Sequence, residues 1–568
     1  MPLGYAISMA AQPAPHVTPS EFDPTDPYAR EAQTFPRLSP AERARVANYG
    51  VEQGLRKGVM LFQRGQRSVD FFLVLEGSIE IVDLDREGLP VVLTAHGEGQ
   101  FTGELDLFND RQILVSGRTG MNSRVVRVKR ADFRKMLSAE PDLGEIIMRS
   151  LILRRVGLIR HAQGGIVLIG SSHAADTLRL QRFLTRNGYP HRWIDTDLDA
   201  GASGLLARHR VESGSSPVVI APGEEVLLNP SNSMVADRLG LTETFEADAV
   251  FDVAVVGAGP AGLAAAVYAA SEGLRTVVVE ALAPGGQAGT SSKIENYLGF
   301  PTGISGQALA GRAQIQAQKF GARLAIARAV VGIDCDGGPY RLQLEDDRSI
   351  AARSVIIATG ARYRKLDVLD AERYEGQGIH YAATAMEQQL CEGEEVVIVG
   401  GGNSAGQAAM YLSRTVEHVH ILVRGAGLAA TMSDYLVQRI ASSPVITLHP
   451  FTEVSALGGD TTLREVTWTH RKTGASETRR VGNVFVMIGA EPNTEWLRGC
   501  LDLDQQGFIV TGSDASGRAL QSTFATTAPG IFAVGDVRAG SVKRVASGVG
   551  EGSVVVQAVH RFLSPELV

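Results

Sequence analysis

Two glycine-rich turns in the second half of the chain restrict its fold more than any other feature. The first turn follows the apolar run FDVAVV and reads GAGPAG, and a helix of small residues and a strand ending in Glu280 come next. Glycines at this spacing let a pyrophosphate approach the helix N-terminus, and an acid about 20 residues on accepts ribose hydroxyls. The unit therefore predicts a dinucleotide site formed by Gly257, Gly259, Pro260, Ala261, Gly262 and Glu280.

The second turn, GGGNSA, follows the strand EEVVIV and precedes another helix and a strand that ends near Arg424. Two such units predict two dinucleotides, as in flavoprotein pyridine-nucleotide oxidoreductases. Arg424 occupies the position at which an acid would bind a 2′-hydroxyl, and an arginine there can bind a 2′-phosphate, so NADPH is favoured. If Arg424 is only a solvent-exposed charge at the strand end, NADH remains possible. The predicted nicotinamide-dinucleotide residues are Gly402, Asn403, Ser404, Ala405 and Arg424.

The order of the remaining motifs resembles that of low-molecular-weight thioredoxin reductases. GGQAGTSSKIENYLGFP comes first, then IIATGA, the second glycine turn, VMIGAEPNT, GIFAVGDVR and KRVASGVGEGSVVVQAVHRFL. The resemblance implies an FAD domain over 248–363 and 493–568, interrupted by an inserted NAD(P)H domain over 364–492, and a homodimer. It also implies further flavin-site residues: Gly286, Gln287, Asn296, Gly360, Gly535, Asp536, Arg544, Val545 and Ala546.

One departure from that family affects the chemistry directly. The family's Cys-Ala-Thr-Cys motif aligns with Ala382-Ala383-Thr384-Ala385, and alanine cannot attack or resolve a disulfide. Hydride transfer from NADPH to FAD needs no thiol, so the leading hypothesis is a flavin-borne oxidoreductase with no catalytic protein residue assigned. Its acceptor would be a quinone, a ferredoxin or flavodoxin-like protein, oxygen, or a disulfide on a partner. The alternatives are thioredoxin-disulfide reduction, as the family implies, and a low-turnover flavin-binding sensor or scaffold.

The chain has three cysteines, Cys335, Cys391 and Cys500, which are far apart in sequence. This spacing predicts no disulfide framework and no zinc site, so any redox chemistry would come from a bound cofactor. Cys391 lies close to the alanine motif, but it has no sequence partner. A small core or surface thiol is therefore favoured over a reactive single cysteine.

Residues 39–160 alternate apolar and polar positions in short runs, which predicts a small β-barrel or jelly roll followed by helices. At Gly65, Asp70 and Gly77, and again along GEL at 103–105, this segment resembles the cyclic nucleotide-binding domain. In that family an arginine neutralises the cyclic phosphate and the glutamate, here Glu104, takes the ribose hydroxyl. Ile113 occupies the arginine position, so we expect a regulatory or interaction platform without nucleotide, and cyclic-nucleotide binding is the alternative.

Residues 164–240 resemble a thioredoxin or glutaredoxin fold of minimal size, with a β-α-β opening and a closing helix. The turn before its first helix, 170–175, reads GSSHAA and contains no thiol, so a dithiol role is excluded. A spacer or docking surface is favoured, and His173 is more simply a capping or surface residue than a proton donor.

Composition sets the remaining limits. A chain of 568 residues is too long for one core, and its net charge of −7 argues against general nucleic-acid binding. No run approaches the length of a membrane helix and no leader pattern is visible, so a cytoplasmic protein is expected. Residues 1–38 predict an extended arm. The predicted fold class is multidomain: a β-barrel with helices, an α/β thioredoxin-like module, and two Rossmann-like α/β dinucleotide-binding domains.

Overall fold

A computed structural model describes residues 26–564 except 85–88, 104–106, 108–110, 200, 212–216, 223–224, 244, 247, 292, 336, 382, 384, 498 and 515. The chain forms two compact units. The first comprises the N-terminal part to residue 167 with 189–192 and 220–227, and the second comprises 168–188, 193–219 and 228 onwards.

The first unit contains two four-stranded sheets with antiparallel pairing, followed by helices. The sheet orders are β1-β8-β3-β6 and β2-β7-β4-β5, and Phe71 stacks between Phe101 and Phe133 at ring separations of 5.3 and 5.0 Å. The predicted barrel and helices are therefore present. The elements are α1 (Glu31–Thr34), α2 (Pro40–Ala47), β1 (Val51–Leu55), β2 (Met60–Phe62), β3 (Phe71–Glu76), β4 (Ile79–Leu84), β5 (Pro90–His96), β6 (Phe101–Thr102), β7 (Ser116–Thr119), β8 (Ser123–Val128), α3 (Arg130–Ala139) and α4 (Pro141–Arg160).

The described part of the N-terminal arm is folded, which corrects the expectation of an extended segment through residue 38. Thr34 is fully buried, and its carbonyl accepts hydrogen bonds from Ser150 (2.8 Å) and Arg154 (2.9 Å) of α4. Tyr28 stacks on His161 at 4.9 Å. The arm lacked a periodic pattern because single side chains, rather than a continuous apolar face, attach it. Residues 1–25 lie outside the described part.

The middle module has the β-α-β opening and closing helix that the sequence predicted. Its strands form a sheet in the order β10-β9-β11-β12. The elements are β9 (Ile166–Ile169), α5 (Ala175–Arg186), β10 (His191–Ile194), α6 (Ala202–Arg208), β11 (Val218–Ile220), β12 (Val226–Leu228) and α7 (Asn232–Leu239).

The predicted flavin domain is built on a sheet of order β15-β14-β13-β18-β17-β16, with β29 also pairing β18. Strands β13, β14, β15, β18 and β29 run parallel, so their carboxyl ends meet at one edge. The elements are β13 (Val250–Val256), α8 (Pro260–Ser271), β14 (Thr276–Glu280), α9 (Gly306–Lys319), β15 (Arg323–Ile326), β16 (Val330–Asp334), β17 (Tyr340–Leu344), β18 (Ser349–Ile357) and, after the inserted domain, β29 (Ile531–Ala533) and α13 (Val545–Leu563).

The inserted domain has a five-stranded parallel sheet of order β20-β27-β21-β22-β23 and a three-stranded antiparallel sheet β24-β25-β26. The chain enters and leaves it through the paired strands β19 and β28. The elements are β19 (Ala361–Tyr363), β20 (Ile379–His380), α10 (Ala385–Leu390), β21 (Glu395–Val399), α11 (Asn403–Leu412), β22 (His418–Val423), α12 (Asp434–Ala441), β23 (Ile446–Pro450), β24 (Thr452–Gly459), β25 (Leu463–His470), β26 (Ser476–Arg479), β27 (Asn483–Val486) and β28 (Ala490–Pro492).

Cys335 and Cys500 form a disulfide across 165 residues of sequence, so the prediction of no disulfide was wrong. Cys335 follows β16 and Cys500 follows a short helical turn, and both pack on the flavin-sheet core. Wide spacing in sequence did not prevent pairing because the inserted domain loops out between them. Among the described residues, no helix is long and apolar enough to cross a membrane.

Candidate functional site

The first glycine turn lies at the carboxyl end of β13. Gly257 has φ +103°, a conformation that residues with a Cβ avoid, and α8 begins three residues later at Pro260. Gly259 is the N-cap of α8, so the unpaired N–H groups of the first helical turn face the sheet edge. Ala261 and Gly262 are buried and allow α8 to pack closely. The turn therefore places a helix N-terminus suited to an anion at the sheet edge, as the predicted dinucleotide site requires.

Glu280 lies at the end of β14, beside this turn. One carboxylate oxygen accepts a hydrogen bond from the Ala258 N–H at 2.8 Å, and the other accepts from the Leu282 N–H at 3.0 Å. The second oxygen also accepts the Ala283 N–H at 3.3 Å, so the lone pair that remains for a ribose hydroxyl is on the oxygen bonded to Ala258. Glu280 thus has a structural role that the sequence did not indicate.

The residues after β14 surround the same edge. The Gly285 N–H donates to the Ala258 carbonyl at 2.7 Å, which ties Gly286 and Gln287 to the first turn. The Gln287 side chain donates to the Ala361 carbonyl, next to Gly360 at the end of β18. Asn296, by contrast, is exposed in the segment between the bridged residues Ile294 and Ile304.

Asp536 lies where β29 ends, at the same edge. Burial raises the pKa of its carboxyl, and the nearby Glu551 raises it further against the opposing charge of Lys543. Glu551 accepts the Gly535 N–H at 2.6 Å and pairs with Arg538 at 2.7 Å. Glu551 therefore fixes the Gly535-Asp536 turn. Sequence reasoning missed it, although an acid within the glycine-rich helix GVGEGSVVV was a usable signal.

The remaining predicted flavin residues begin α13. Arg544 is the N-cap of the helix and is exposed, Val545 is partly buried and Ala546 is exposed. Two further residues, Thr359 and Asn493, were missed. Their side chains bond each other's backbone carbonyls at 3.0 and 2.9 Å, which joins the end of β18 to the return strand of the inserted domain. They stood in the motifs IIATGA and EPNT, but polarity alone did not reveal their pairing.

The second glycine turn repeats this arrangement at the end of β21. Gly400 has φ +137° and Gly402 is the N-cap of α11. The Asn403 side chain accepts the Ser433 N–H at 2.7 Å, which positions the start of α12. Ser404 is exposed, while Ala405 is fully buried in the domain core and serves packing. Arg424 follows β22 directly and is exposed.

A cavity of about 1360 Å³ joins the two predicted sites. Its lining contains Gln287 and Asp536 from the flavin side, and the GGGNS turn and Arg424 from the nicotinamide side. Two glycine turns, two helix N-termini and a shared cavity fit a pair of dinucleotides. A second cavity of about 980 Å³ adjoins it, since Val399, Arg424 and Ile488 line both.

The alanine motif lies beside the inserted domain's core. Ala382 and Thr384 are outside the described residues, Ala383 is buried, and Ala385 begins α10. Cys391 is fully buried just after α10, and its thiol donates to the Glu387 carbonyl at 3.2 Å. Burial raises the pKa of this thiol to about 12, and the charges of Glu394 and Glu387 add to the effect. Cys391 is therefore the core thiol that the sequence favoured.

The barrel unit shows why Ile113 is not a phosphate ligand. Ile113 is 2% exposed, and its backbone pairs with Gln66 and Gly65 at 2.8 Å each. Arg118 on β7 is already paired with Glu80 at 2.9 Å. Glu104 lies outside the described residues, so the predicted ribose contact has no structural description.

The fold and site together define a class: an α/β oxidoreductase with two dinucleotide-binding domains, one inserted in the other. Residues 251–552, more than half of the chain, match the pyridine nucleotide-disulphide oxidoreductase family. The chain belongs to that family, and it is an NAD(P)H-dependent flavin oxidoreductase. Residues 52–140 match the cyclic nucleotide-binding domain, which confirms that resemblance for the first module.

Similar proteins extend over the same region. "NADPH-dependent thioredoxin reductase 3" of Arabidopsis thaliana is 29% identical over 395 residues, covering 64% of this chain and 72% of the relative. "Thioredoxin reductase" of Borreliella burgdorferi is 32% identical, covering 56% of this chain and 94% of the relative. The crystal structure of Lactococcus lactis thioredoxin reductase is 31% identical with TM-score 0.51, covering 56% of this chain and 99% of that one.

Proposed function

We propose that this enzyme takes a hydride from NADPH onto bound FAD and that the electrons leave the flavin for an acceptor bound directly at the flavin. The observation that carries the proposal is the loss of both motif sulfurs, Ala382 and Ala385, in a chain that keeps both glycine turns. The two cofactors supply the hydride chemistry when bound. The turn at Gly400 lines a cavity that Gln287 and Asp536 of the flavin domain also line, and these residues would hold the two cofactors.

Neither the free thiol of Cys391 nor the Cys335–Cys500 disulfide replaces the missing cysteine pair of the motif. A thiol with a pKa near 12 is almost wholly protonated at neutral pH, and full burial denies Cys391 access to a partner. The only thiol left free in the described residues is thus unsuited to exchange.

The Cys335–Cys500 disulfide lies near the end of the flavin sheet opposite the Gly257 turn. Asp334, the residue before Cys335, pairs across the sheet with Arg341, which pairs with Ala351. Ala351 in turn pairs with Val250, the first residue of β13. The flavin turn begins after Val256, the last residue of that strand. At about 3.3 Å per residue the disulfide is roughly 20 Å from the turn, too far for contact with a flavin bound there.

Two arginines support NADPH as the coenzyme. Arg424 and Arg364 line the second cavity, and neither guanidinium has an ion-pair partner among the described residues. Their charged neighbours are paired, Arg362 with Glu495 at 2.7 Å and Lys365 with Glu375 at 3.2 Å. The two cavity-lining cations suit a 2′-phosphate, which needs charge-assisted hydrogen bonds.

The test compares acceptors in the full-length enzyme loaded with FAD. We expect NADPH to bleach the flavin absorbance in stopped flow, and a dye or quinone to be reduced in steady state. A thioredoxin-coupled disulfide assay should be slow, and the C391A variant should reduce the dye as the wild type does. Thioredoxin-coupled turnover as fast as dye reduction would overturn the proposal.

A second candidate is a flavin-binding sensor with little turnover. It is favoured by the loss of ligand or reactive groups in all three modules: Ile113 in the barrel, the thiol-free turn at Ser172 and the alanine motif. Flavin reduction by NADPH without any dye turnover would support this candidate against the enzyme.

A further inference from the structure

Helix α5 of the middle module contacts the flavin domain at its carboxyl end. The Arg186 guanidinium donates to the Gly286 carbonyl at 2.9 Å, and the Gln307 side chain donates to the Thr185 carbonyl. The Asn187 side chain donates to the Leu282 carbonyl at 3.2 Å. These bonds hold the loop that carries the predicted flavin residues Gly286 and Gln287.

The other part of the same helix contacts the inserted domain. The Gln377 side chain donates to the His173 carbonyl at 2.9 Å, just before α5 begins. Arg182 lies 3.6 Å from the Glu387 carboxylate, whose side chain is only 7% exposed. A buried carboxylate is stabilised by a cationic neighbour, and Arg182 of the middle module provides one to α10.

In the described part of the chain, the two dinucleotide domains are otherwise joined mainly by the strands that connect them. The chain crosses between them twice, through the three-residue strands β19 and β28. Arg439 and Glu295 form an ion pair at 3.2 Å across the same boundary, but both side chains are partly exposed and such pairs contribute little. Domains joined by a short ribbon and an exposed ion pair can shift about the ribbon unless something else holds them.

We propose that α5 is a brace that fixes the inserted domain relative to the flavin domain. Its 12 residues form a rigid element about 18 Å long, with the flavin loop held at one end and α10 held by Arg182. Arg182, Arg186 and Gln307 are thus positioning residues. The middle module contains no cysteine, and positioning the two domains requires none. The inference concerns domain placement and holds whichever acceptor takes the electrons.

The same helix offers a matched control. Arg179 bonds Asp176 at 3.1 Å and Asn232 at 2.9 Å, both within the middle module. R179Q removes an arginine from α5 without touching either dinucleotide domain. The flavin-side variant is R186Q/Q307A. The other is R182Q/E387Q, which removes both charges of the buried pair so that no unpaired carboxylate remains.

The experiment measures the distance between the domains in full-length FAD-loaded protein. Nitroxide labels are placed on S271C of the flavin domain and T473C of the inserted domain, both exposed positions. Pulsed electron spin resonance should give one narrow distance distribution in the parent and in R179Q. We expect each brace variant to broaden it about twofold or more and the combined variant to be at least as broad, since each variant leaves one neutral hydrogen bond on its side, Asn187–Leu282 or Gln377–His173.

Thermal unfolding of every variant separates loosening from loss of fold. Unchanged distance distributions in both folded brace variants would overturn the inference. Equal broadening in R179Q would overturn it as well, because the effect would then come from general weakening of α5. Flavin reduction by NADPH is measured separately, so failure of the proposed electron route leaves this result unaffected.

Discussion

The two glycine turns share a backbone design, but their units differ at the end of the second strand. In the flavin domain Glu280 bonds the backbone N–H groups of Ala258 and Leu282, so the acid is already part of the site. In the inserted domain Arg424 is exposed and has no ion-pair partner in the described chain.

Under the proposed function, the first site would keep FAD and the second site would exchange NADPH. Glu551 accepts the Gly535 N–H and fixes the turn that carries Asp536. The second turn and Arg424 line the large cavity, which Gln287 and Asp536 also line from the flavin side.

Replacing either turn glycine with alanine should give the largest effects. One variant should lose FAD, and the other should lose reduction by NADPH. In G257A the Cβ meets the Ala358 carbonyl and the φ of +103° is strained, costing about 2–3 kcal/mol or more. We expect colourless protein without FAD. G400A, strained at φ +137° against the Met487 carbonyl, should remain yellow but fail to bleach with NADPH. Absorbance at about 450 nm and stopped flow measure both; equal flavin loss in the two variants would contradict the comparison.

Removing the disulfide should weaken only the flavin domain. C335S/C500S frees a loop of 165 residues, and we expect the unfolding free energy to fall by about 2–4 kcal/mol. NADPH-dependent dye reduction should not change, because the disulfide is on the far edge of the sheet. Urea unfolding followed by flavin fluorescence measures the loss. Altered dye turnover in the folded variant would place the disulfide in the electron route.

Removing Arg424 or Arg364, which line the second cavity, should change coenzyme choice. R424A and R364A should each raise the KM for NADPH by about 10- to 100-fold, as expected for loss of a hydrogen bond to a charged group. The KM for NADH should stay within about twofold. R362A is the matched control, since Arg362 is already paired with Glu495. Parallel losses with both coenzymes would assign the arginines a structural role.

Mild acid should weaken the inserted domain rather than the flavin domain, the smallest effect expected. His420 lies 3.1 Å from His449 and 3.2 Å from Glu395, with His418, Glu477 and Arg479 nearby. Burial lowers the pKa of His420, although the hydrogen bond to Glu395 opposes this shift. Burial also lowers the pKa of His449, and the charge of His420 lowers it further.

The folded-state pKa values of the two histidines lie below the ordinary 6.5, so the unfolded chain takes up protons first as the pH falls. The contribution of the two neutral histidines to the free energy of unfolding is therefore complete above pH 6.5 and declines as the pH falls from 6.5 towards the folded-state values. Trp468 packs 5.3 Å from His420 and provides a fluorescence signal for unfolding at about pH 7.5 and about pH 5.5. H449L should flatten the profile. A profile equally steep in H449L would assign the pH effect to other groups.

Features built from neighbouring residues were predictable from sequence. The turns at Gly257 and Gly400 and the small middle module follow from glycine spacing and strand-helix order, which are local. The alanine motif could also be recognised, because its Ala-Thr centre survives.

Features that depend on distant register were not predictable. Cys335 and Cys500 pair only because the β16–β17 hairpin and the returning chain meet at one sheet edge. Glu551 acts on a turn 16 residues away, on another element. The contacts of α5 with Gly286 and Glu387 link residues more than 90 positions apart, which no periodic pattern encodes.

The insertion between β18 and β29 also sets the order of synthesis and folding. Val355 of β18 pairs with Ile531, so the central flavin sheet closes only after the whole inserted domain has left the ribosome. Asp536 and α13 emerge later still. The inserted domain has its own sheet and cores and can fold first. The nascent chain can therefore form the second glycine turn before the strand and helix that complete the flavin sheet are synthesised.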